Sequence, residues 1–108
     1  MALADAVKGA TYTQQTITWT NVDGLAQNLT GATLSGTIKD VSTGVVRAIT
    51  GTLTLVTPAS GIFLWDYSTA DVATAGVFEV QFKATYAGSE YDATIKTGWK
   101  VHELQTVV

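Results

Sequence analysis

The sequence predicts an all-β fold, an antiparallel sandwich of two facing sheets, and three observations carry that prediction. Ile62-Phe63-Leu64-Trp65-Asp66-Tyr67 places an aromatic ring at every second position, the period of a pleated strand. Val77 to Tyr86 alternates again, with Phe78, Val80, Phe82, Ala84 and Tyr86 in one phase and Glu79, Gln81, Lys83 and Thr85 in the other. Such a strand has one buried and one wet face, as in antiparallel sheets that cover a common core. Finally, turn signals recur along the chain while no helical pattern exceeds two turns. That leaves about seven strands and one short helical turn near residues 69–74.

Composition narrows the class. The 108 residues suffice for one core, since chains of this size rarely support two. Hydrophobic residues make up 46% and the single Pro lies in a turn, a balance foreign to disordered chains. Three Trp, four Tyr and three Phe can furnish the interior, each enclosed ring removing about 150–250 Å² from water. The formal charge is −3, and Lys8, Lys39, Arg47, Lys83, Lys96 and Lys100 are scattered. The basic stripe that nucleic-acid binding needs to displace counterions is missing, so nucleic acid is not an expected partner. Without Cys, neither a disulfide framework nor a thiolate metal site can form. The opening MALADAVKGA is too short and too weakly apolar for a secretory signal. No run approaches the ~18 apolar residues of a membrane span, so a soluble chain without a membrane partner is expected.

Along the chain, residues 1–10 read as an N-terminal arm, 11–102 as the sandwich domain and 103–108 as a C-terminal tail. A first strand from Thr11 to Thr20 points Ile17 and Trp19 inward. Asn21-Val22-Asp23-Gly24 is a turn, because Asp-Gly readily adopts positive φ. Ala32 to Asp40 is the second strand, with Leu34, Gly36 and Ile38 inward. Gly36 in mid-strand weakens it unless a large neighbour needs the space, and Trp65 or Trp99 is the expected neighbour. A hairpin loop, Asp40 to Gly44, leads to Val45–Ile49, and Gly51 opens the alternating strand Thr52 to Val56. Pro58 to Gly61 turns the chain into the strand Ile62 to Tyr67. Ser68 to Ala73 then reads as one helical turn, capped by Ser68 or Thr69, with Asp71 near the positive end of its dipole. Gly76 admits the long strand to Tyr86, and Ala87 to Glu90 closes a hairpin. The last strand carries Tyr91, Ala93, Ile95, Trp99 and Val101 inward, with Asp92, Thr94, Lys96, Lys100 and His102 outward. This count and spacing match an immunoglobulin-like sandwich, with an incomplete barrel as runner-up.

No residue pattern points to chemistry. His102 is the only histidine and falls on an outward phase, where it reads as a surface residue, since general-base work normally pairs His with an orienting partner in a cleft. With no Cys and one His, a zinc site would need three carboxylates, a poor match to zinc's usual ligands. Asp23, Asp40, Asp66, Asp71 and Asp92 lack the dense Asp-x-Asp spacing of a calcium loop, and Asp66 and Asp71 flank a turn that can use both. Ser35, Ser42, Ser60, Ser68 and Ser89 lie outside any Gly-x-Ser-x-Gly elbow, and Gly-rich phosphate loops are absent. No catalytic residue, cofactor or metal is therefore expected. Trp19, Trp65 and Trp99 fall on inward phases and read as core. Tyr12 and Tyr91, at strand beginnings, are the candidate exposed contact residues, with Tyr67 beside them in a sugar- or receptor-binding alternative. Asn28-Leu29-Thr30 fits a glycosylation acceptor pattern but reads as a strand lead-in.

The ordered motifs carry a resemblance. Leu29-Thr30-Gly31-Ala32-Thr33-Leu34, Ile38-Lys39-Asp40, the Gly44 turn, and Gly61 followed by Trp65 form the first half. Thr69-Ala70-Asp71-Val72-Ala73-Thr74-Ala75-Gly76 before Phe78-Glu79-Val80-Gln81-Phe82 forms the second. Together, over about Tyr12 to Val101, they resemble the immunoglobulin-like domains typified by the N-terminal domain of the tailed-phage baseplate upper protein. The Ala-Asp-x-Ala-x-x-Gly turn is the most specific piece. The resemblance implies a noncatalytic virion part on the tail, baseplate or capsid surface, made in the host cytoplasm. Its implied partners are other virion proteins and, further, a host surface receptor. Here only a short tail follows Val101, where the baseplate protein continues at length, so a stand-alone accessory or a capsid decoration role is also in play. A homo-oligomer fits the rotational symmetry of such parts. Met1–Thr11 and Glu103–Val108 are the expected assembly contacts, ordering on assembly, and the uncharged outer positions Thr52 and Thr54 suit lateral contact.

Overall fold

A computed structural model describes residues 3–11, 14–21, 23–94 and 96–104. Among these, nine strands form: β1 (Ala6–Val7), β2 (Gln14–Thr18), β3 (Thr33–Asp40), β4 (Val46–Ala48), β5 (Thr52–Thr57), β6 (Ile62–Asp66), β7 (Gly76–Thr85), β8 (Tyr91–Ala93) and β9 (Thr97–His102). A six-stranded sheet runs β1-β9-β7-β3-β4 with β8 also paired to β7, and a three-stranded sheet runs β2-β6-β5. The chain crosses between the sheets from β1 to β2, β2 to β3, β4 to β5 and β6 to β7, while β3–β4, β5–β6 and β7–β8 are neighbours within one sheet. This wiring is that of an immunoglobulin-like sandwich, with a large sheet of variable type facing a smaller one. Every ladder is antiparallel except that of β1 on β9, which is parallel. The sheets remain separate, which sets the incomplete barrel aside.

The alternating strands bury the faces that their sequences mark. Phe63 and Trp65 of β6, Tyr67 just beyond it, and Phe78, Val80, Phe82 and Ala84 of β7 are all buried. Ile17, Trp19, Ile38, Trp99 and Val101 join the same core. Ring contacts bridge the layers where antibody domains use a disulfide. Trp65 of the small sheet lies 4.7 Å from Trp99 and 5.9 Å from Phe82 of the large sheet, and Phe63 meets Phe82 edge-on at 5.1 Å. Each such pair adds about 0.5–1.5 kcal/mol beyond the area it buries.

Short 3₁₀ turns occupy Pro58–Ser60 and Ala87–Ser89. In the first, Pro58 supplies the φ of an opening turn, and Gly61 ends it in the left-handed region at φ 70, its N–H donating to the Pro58 carbonyl. The segment after Tyr67 is a single turn in which Asp71 N donates to Ser68 O at 3.1 Å.

Three expectations are corrected. Gly36 is small for Ile49 and Phe82, not for a Trp: a Cβ there would lie 2.5 Å from Ile49 Cδ1 and 3.2 Å from Phe82 Cδ1. The last strand is not one continuous alternation. Between the pairs Lys83↔Ala93 and Val80↔Thr97, β7 advances three residues while its partner uses four. That extra residue is a β-bulge, which reverses side-chain phase. Tyr91 and Ala93 are therefore exposed, and Thr94 is buried instead. Its hydroxyl accepts from Phe82 N at 3.1 Å, filling the gap in the ladder. Ile95 lies outside the described residues. Finally, the N-terminal arm contributes a strand of its own domain: Ala6 and Val7 pair with Val101 and His102.

Overpacking identifies the partner of Gly36. Gly36→Val should lower stability by about 1–3 kcal/mol in urea unfolding, and Ile49→Ala in the same chain should recover part of that loss, an interaction that a double-mutant cycle reads directly.

Candidate interaction surface

The end of the large sheet that holds the β3–β4 hairpin is organised by two aspartates, one buried and one half-buried. Asp71 is fully buried. Its Oδ2 accepts from Gly51 N at 3.0 Å, Trp65 Nε1 at 3.0 Å and Ser68 N at 3.2 Å. Its Oδ1 accepts from Thr50 N at 3.0 Å and Thr50 Oγ1 at 3.3 Å. Thr50 and Ser68 also join hydroxyl to hydroxyl. A carboxylate taken out of water is tolerated only when such donors satisfy its lone pairs. Gly51 has to be glycine for this, because a Cβ would collide with Asp66 O and stand 2.5 Å from Asp71 Oδ2. Arg47 of β4 points inward, donating from Nη2 to Asp71 O at 3.1 Å with its guanidinium 5.9 Å from the Phe78 ring. Its Nη1 lies 3.9 Å from Asp71 Oδ1, a charge contact too long for a hydrogen bond. The residue expected near a helix dipole is thus a buried junction joining the turn, the β4–β5 connection and the Trp65 indole.

Asp40 organises the surface above it. Its Oδ1 accepts from Ser42 N at 2.9 Å and Ser42 Oγ at 2.7 Å, and its backbone closes the hairpin through Gly44 N→Asp40 O at 2.7 Å and Asp40 N→Val45 O at 2.9 Å. The Ser42 hydroxyl and then its amide hold the Asp40 carboxyl below its ordinary value of 3.8. The hairpin leaves Val41, Val45 and Val46 exposed, with Val46 in the phase opposite to Arg47, and Val41 N donates to Val77 O at 3.3 Å, bringing Val77 alongside. All four valines are more than half exposed. Lys39 and Lys100 stand directly opposite Val46 and Val77 in the ladders, and Glu79 stands opposite Lys39, so the aliphatic cluster has a charged border. Several exposed aliphatic side chains gathered in one place, with a polar rim, mark an interaction site more often than scattered ones do.

The remaining candidates fall elsewhere. Thr52 and Thr54 are exposed on the outer face of the small sheet, as expected. His102 is also exposed, with Nε2 at 2.9 Å from Asp5 Oδ2. Tyr67 is buried, a correction to its reading as a contact residue; its hydroxyl accepts from Gln15 Nε2 at 2.6 Å. Burial pushes the Tyr67 phenol above its ordinary value of 10.0. Tyr91 is 65% exposed, with Lys83 Nζ 4.4 Å from its ring centre. It borders a groove of about 360 Å³ that Ser35, Thr37 and Gln81 also line. Tyr12 lies outside the described residues, as do Met1 and residues 105–108 of the tail. Among the described residues, no three His, Asp or Glu side chains gather as metal ligands would, and no helix is long and apolar enough to cross a membrane. The valine cluster and the Asp71 junction were both missed by sequence reasoning: the first spans β3, β4 and β7, and the second gathers donors from Thr50, Gly51 and Trp65. Compared with known proteins, the chain matches no family model and no curated sequence.

Two outcomes follow from this geometry. Asp71→Ala should cost about 3–5 kcal/mol in denaturant unfolding, the range for breaking a buried charged network. The Asp40 carboxyl should titrate by NMR with a midpoint below 3.8, moving back toward it in Ser42→Ala. Because the native state binds that proton more weakly, the Asp40 contribution to stability is present above the ordinary value and is lost as pH falls through the native one.

Proposed function

We propose that this chain is a noncatalytic immunoglobulin-like adaptor of a phage particle, acting through protein–protein contacts on the tail or baseplate or, in the second placement, as a capsid decoration. The observation that carries an adaptor role is the aliphatic end of the large sheet, where Val41, Val45 and Val46 stand exposed on a hairpin fixed by Asp40 and Val77 of β7 lies beside Val41. Holding these side chains on a rigid support lowers the ordering cost of docking. The phage assignment rests on the resemblance, whose most specific segment, Ala70 to Gly76, contains the buried Asp71. That segment therefore has a physical reason for its residues, since the carboxylate must lie where Trp65 and the Thr50 and Gly51 amides converge.

The groove beside Tyr91 favours one further reading, a carbohydrate- or receptor-binding module, because an exposed ring with nearby hydroxyls and an amide suits sugar contact. Loss of glycan-array binding in Tyr91→Ala would favour that reading over the adaptor.

For the adaptor, the chain should occur at fixed stoichiometry in gradient-purified particles, measured by mass spectrometry. Val46→Lys with Val77→Lys should reduce incorporation at least about tenfold while leaving stability within about 0.5 kcal/mol, as for surface positions. A chain absent from purified particles, or incorporated equally well with both lysines, would count against it.

A further inference from the structure

The N-terminal strand sits in a receptor built largely from side chains. Gln15, on β2 and 8% exposed, turns its amide onto the backbone of Ala4. Its Oε1 accepts from Ala4 N at 3.0 Å, and its Nε2 donates to Ala4 O at 3.3 Å and to the Tyr67 hydroxyl at 2.6 Å. From the opposite sheet, Trp99 Nε1 donates to the same Ala4 O at 3.0 Å. Two residues further on, Ala6 is buried in the core, and Leu3 packs against that core. At the rim, Asp5 meets His102 at 2.9 Å and Lys8 Nζ lies 4.0 Å from Glu103.

This receptor reads an extended backbone and a small side chain at the position of Ala6. Without the strand, Gln15 Oε1 and Trp99 Nε1 would lose their partners on Ala4, and a polar group left buried and unsatisfied costs about 1–3 kcal/mol. The groove between β2 and β9 therefore needs an occupant. Along the chain the occupant is held by a short ladder of two residue pairs, extended by Lys8 N donating to His102 O at 2.9 Å and Gly9 N donating to Val72 O at 2.8 Å. Ala10 N donates to Val7 O at 3.0 Å and Thr11 N to Gly9 O at 3.1 Å, with Gly9 at φ 77. Two tight turns thus follow one another in a short hinge, the arrangement in which strand exchange between copies costs least.

We infer that the β2–β9 groove is a strand-acceptor site that takes residues 3–8 of a second copy of this chain, in a reciprocal, two-fold exchange. Every contact of Ala4, Asp5, Ala6 and Lys8 described above is kept in the exchanged pair, because each copy offers the same groove, and the hinge turns open. The balance between the two forms is set by the tether, whose effective concentration is of millimolar order for a short flexible linker. Copies held side by side in an assembly reach that concentration, whereas dilute chains do not. The inference gives the adaptor reading a specific partner, but it does not depend on the valine cluster, so the particle-incorporation test and the one below can fail separately.

The absence of Cys allows a direct test in the full chain. Val7→Cys with His102→Cys places one thiol pair across the parallel ladder, where the two residues are opposed. The chain is refolded and oxidised from about 10 µM to about 1 mM, a range whose upper end reaches the effective concentration of the tether, and products are separated by nonreducing electrophoresis. Intrachain bridges are expected at the low end and interchain dimers at the high end, increasing with concentration. Deleting Ala10 and Thr11 should give dimers throughout. For the unmodified chain, co-refolding of isotopically labelled and unlabelled protein should give mixed dimers by native mass spectrometry over the same range. Intrachain bridges alone at the highest concentration, with only monomer for the unmodified chain, would overturn the inference.

Discussion

The Asp71 carboxylate is the constraint on which the functional end of the molecule depends. It is fully enclosed, and its two oxygens gather donors from Thr50, Gly51, Trp65 and Ser68. Those donors belong to the β4–β5 connection, to the core-facing indole of β6 and to the turn that leads into β7. One acidic group therefore fixes where the chain leaves the large sheet, where it enters the small sheet and where it returns. A hydrophobic side chain of similar size would fill the space without specifying these positions, since dispersion contacts lack the directionality of N–H···O bonds.

Above that junction the structure turns from burial to display. Arg47 lies between the Phe78 ring and the Asp71 carbonyl, so β4 is anchored from beneath, while its neighbour Val46 points outward. The Asp40–Ser42 contacts brace the adjoining hairpin from the solvent side. The aliphatic cluster thus belongs to a rigid surface, which is what a docking module needs if binding is not to be weakened by loop ordering. The N-terminal strand is the contrasting element. It is tied down by Gln15, Trp99 and a short ladder, and tight turns at Ala10 and Thr11 follow it.

Much of this fold was legible in the sequence, and the failures have physical reasons. Phe63, Trp65 and Tyr67, and Phe78 to Ala84, alternate because a strand between core and solvent must, so the buried set could be read directly. The burial of Asp71 could not, because its acceptor role depends on amides 20 and 21 residues away in sequence. The inverted phase of Tyr91 and Thr94 arises from one bulged residue, which leaves no compositional mark when Thr fills the gap. The neighbours of Gly36 were misassigned because β-pairing fixes the face of a residue but not which facing side chain needs the room. A two-residue parallel strand such as β1 is too short to carry any periodic signal.

Amide and indole hydrogen exchange in the native state tests the central role of Asp71 most directly. The Thr50, Gly51 and Ser68 amides lie outside regular strands, yet their bonds to a buried carboxylate should break only with the whole domain. Their exchange, and that of the Trp65 indole N–H, is expected to match that of Val80 and Phe82 in the middle of β7. Rapid exchange of these four protons through local opening, with β7 still protected, would contradict the account.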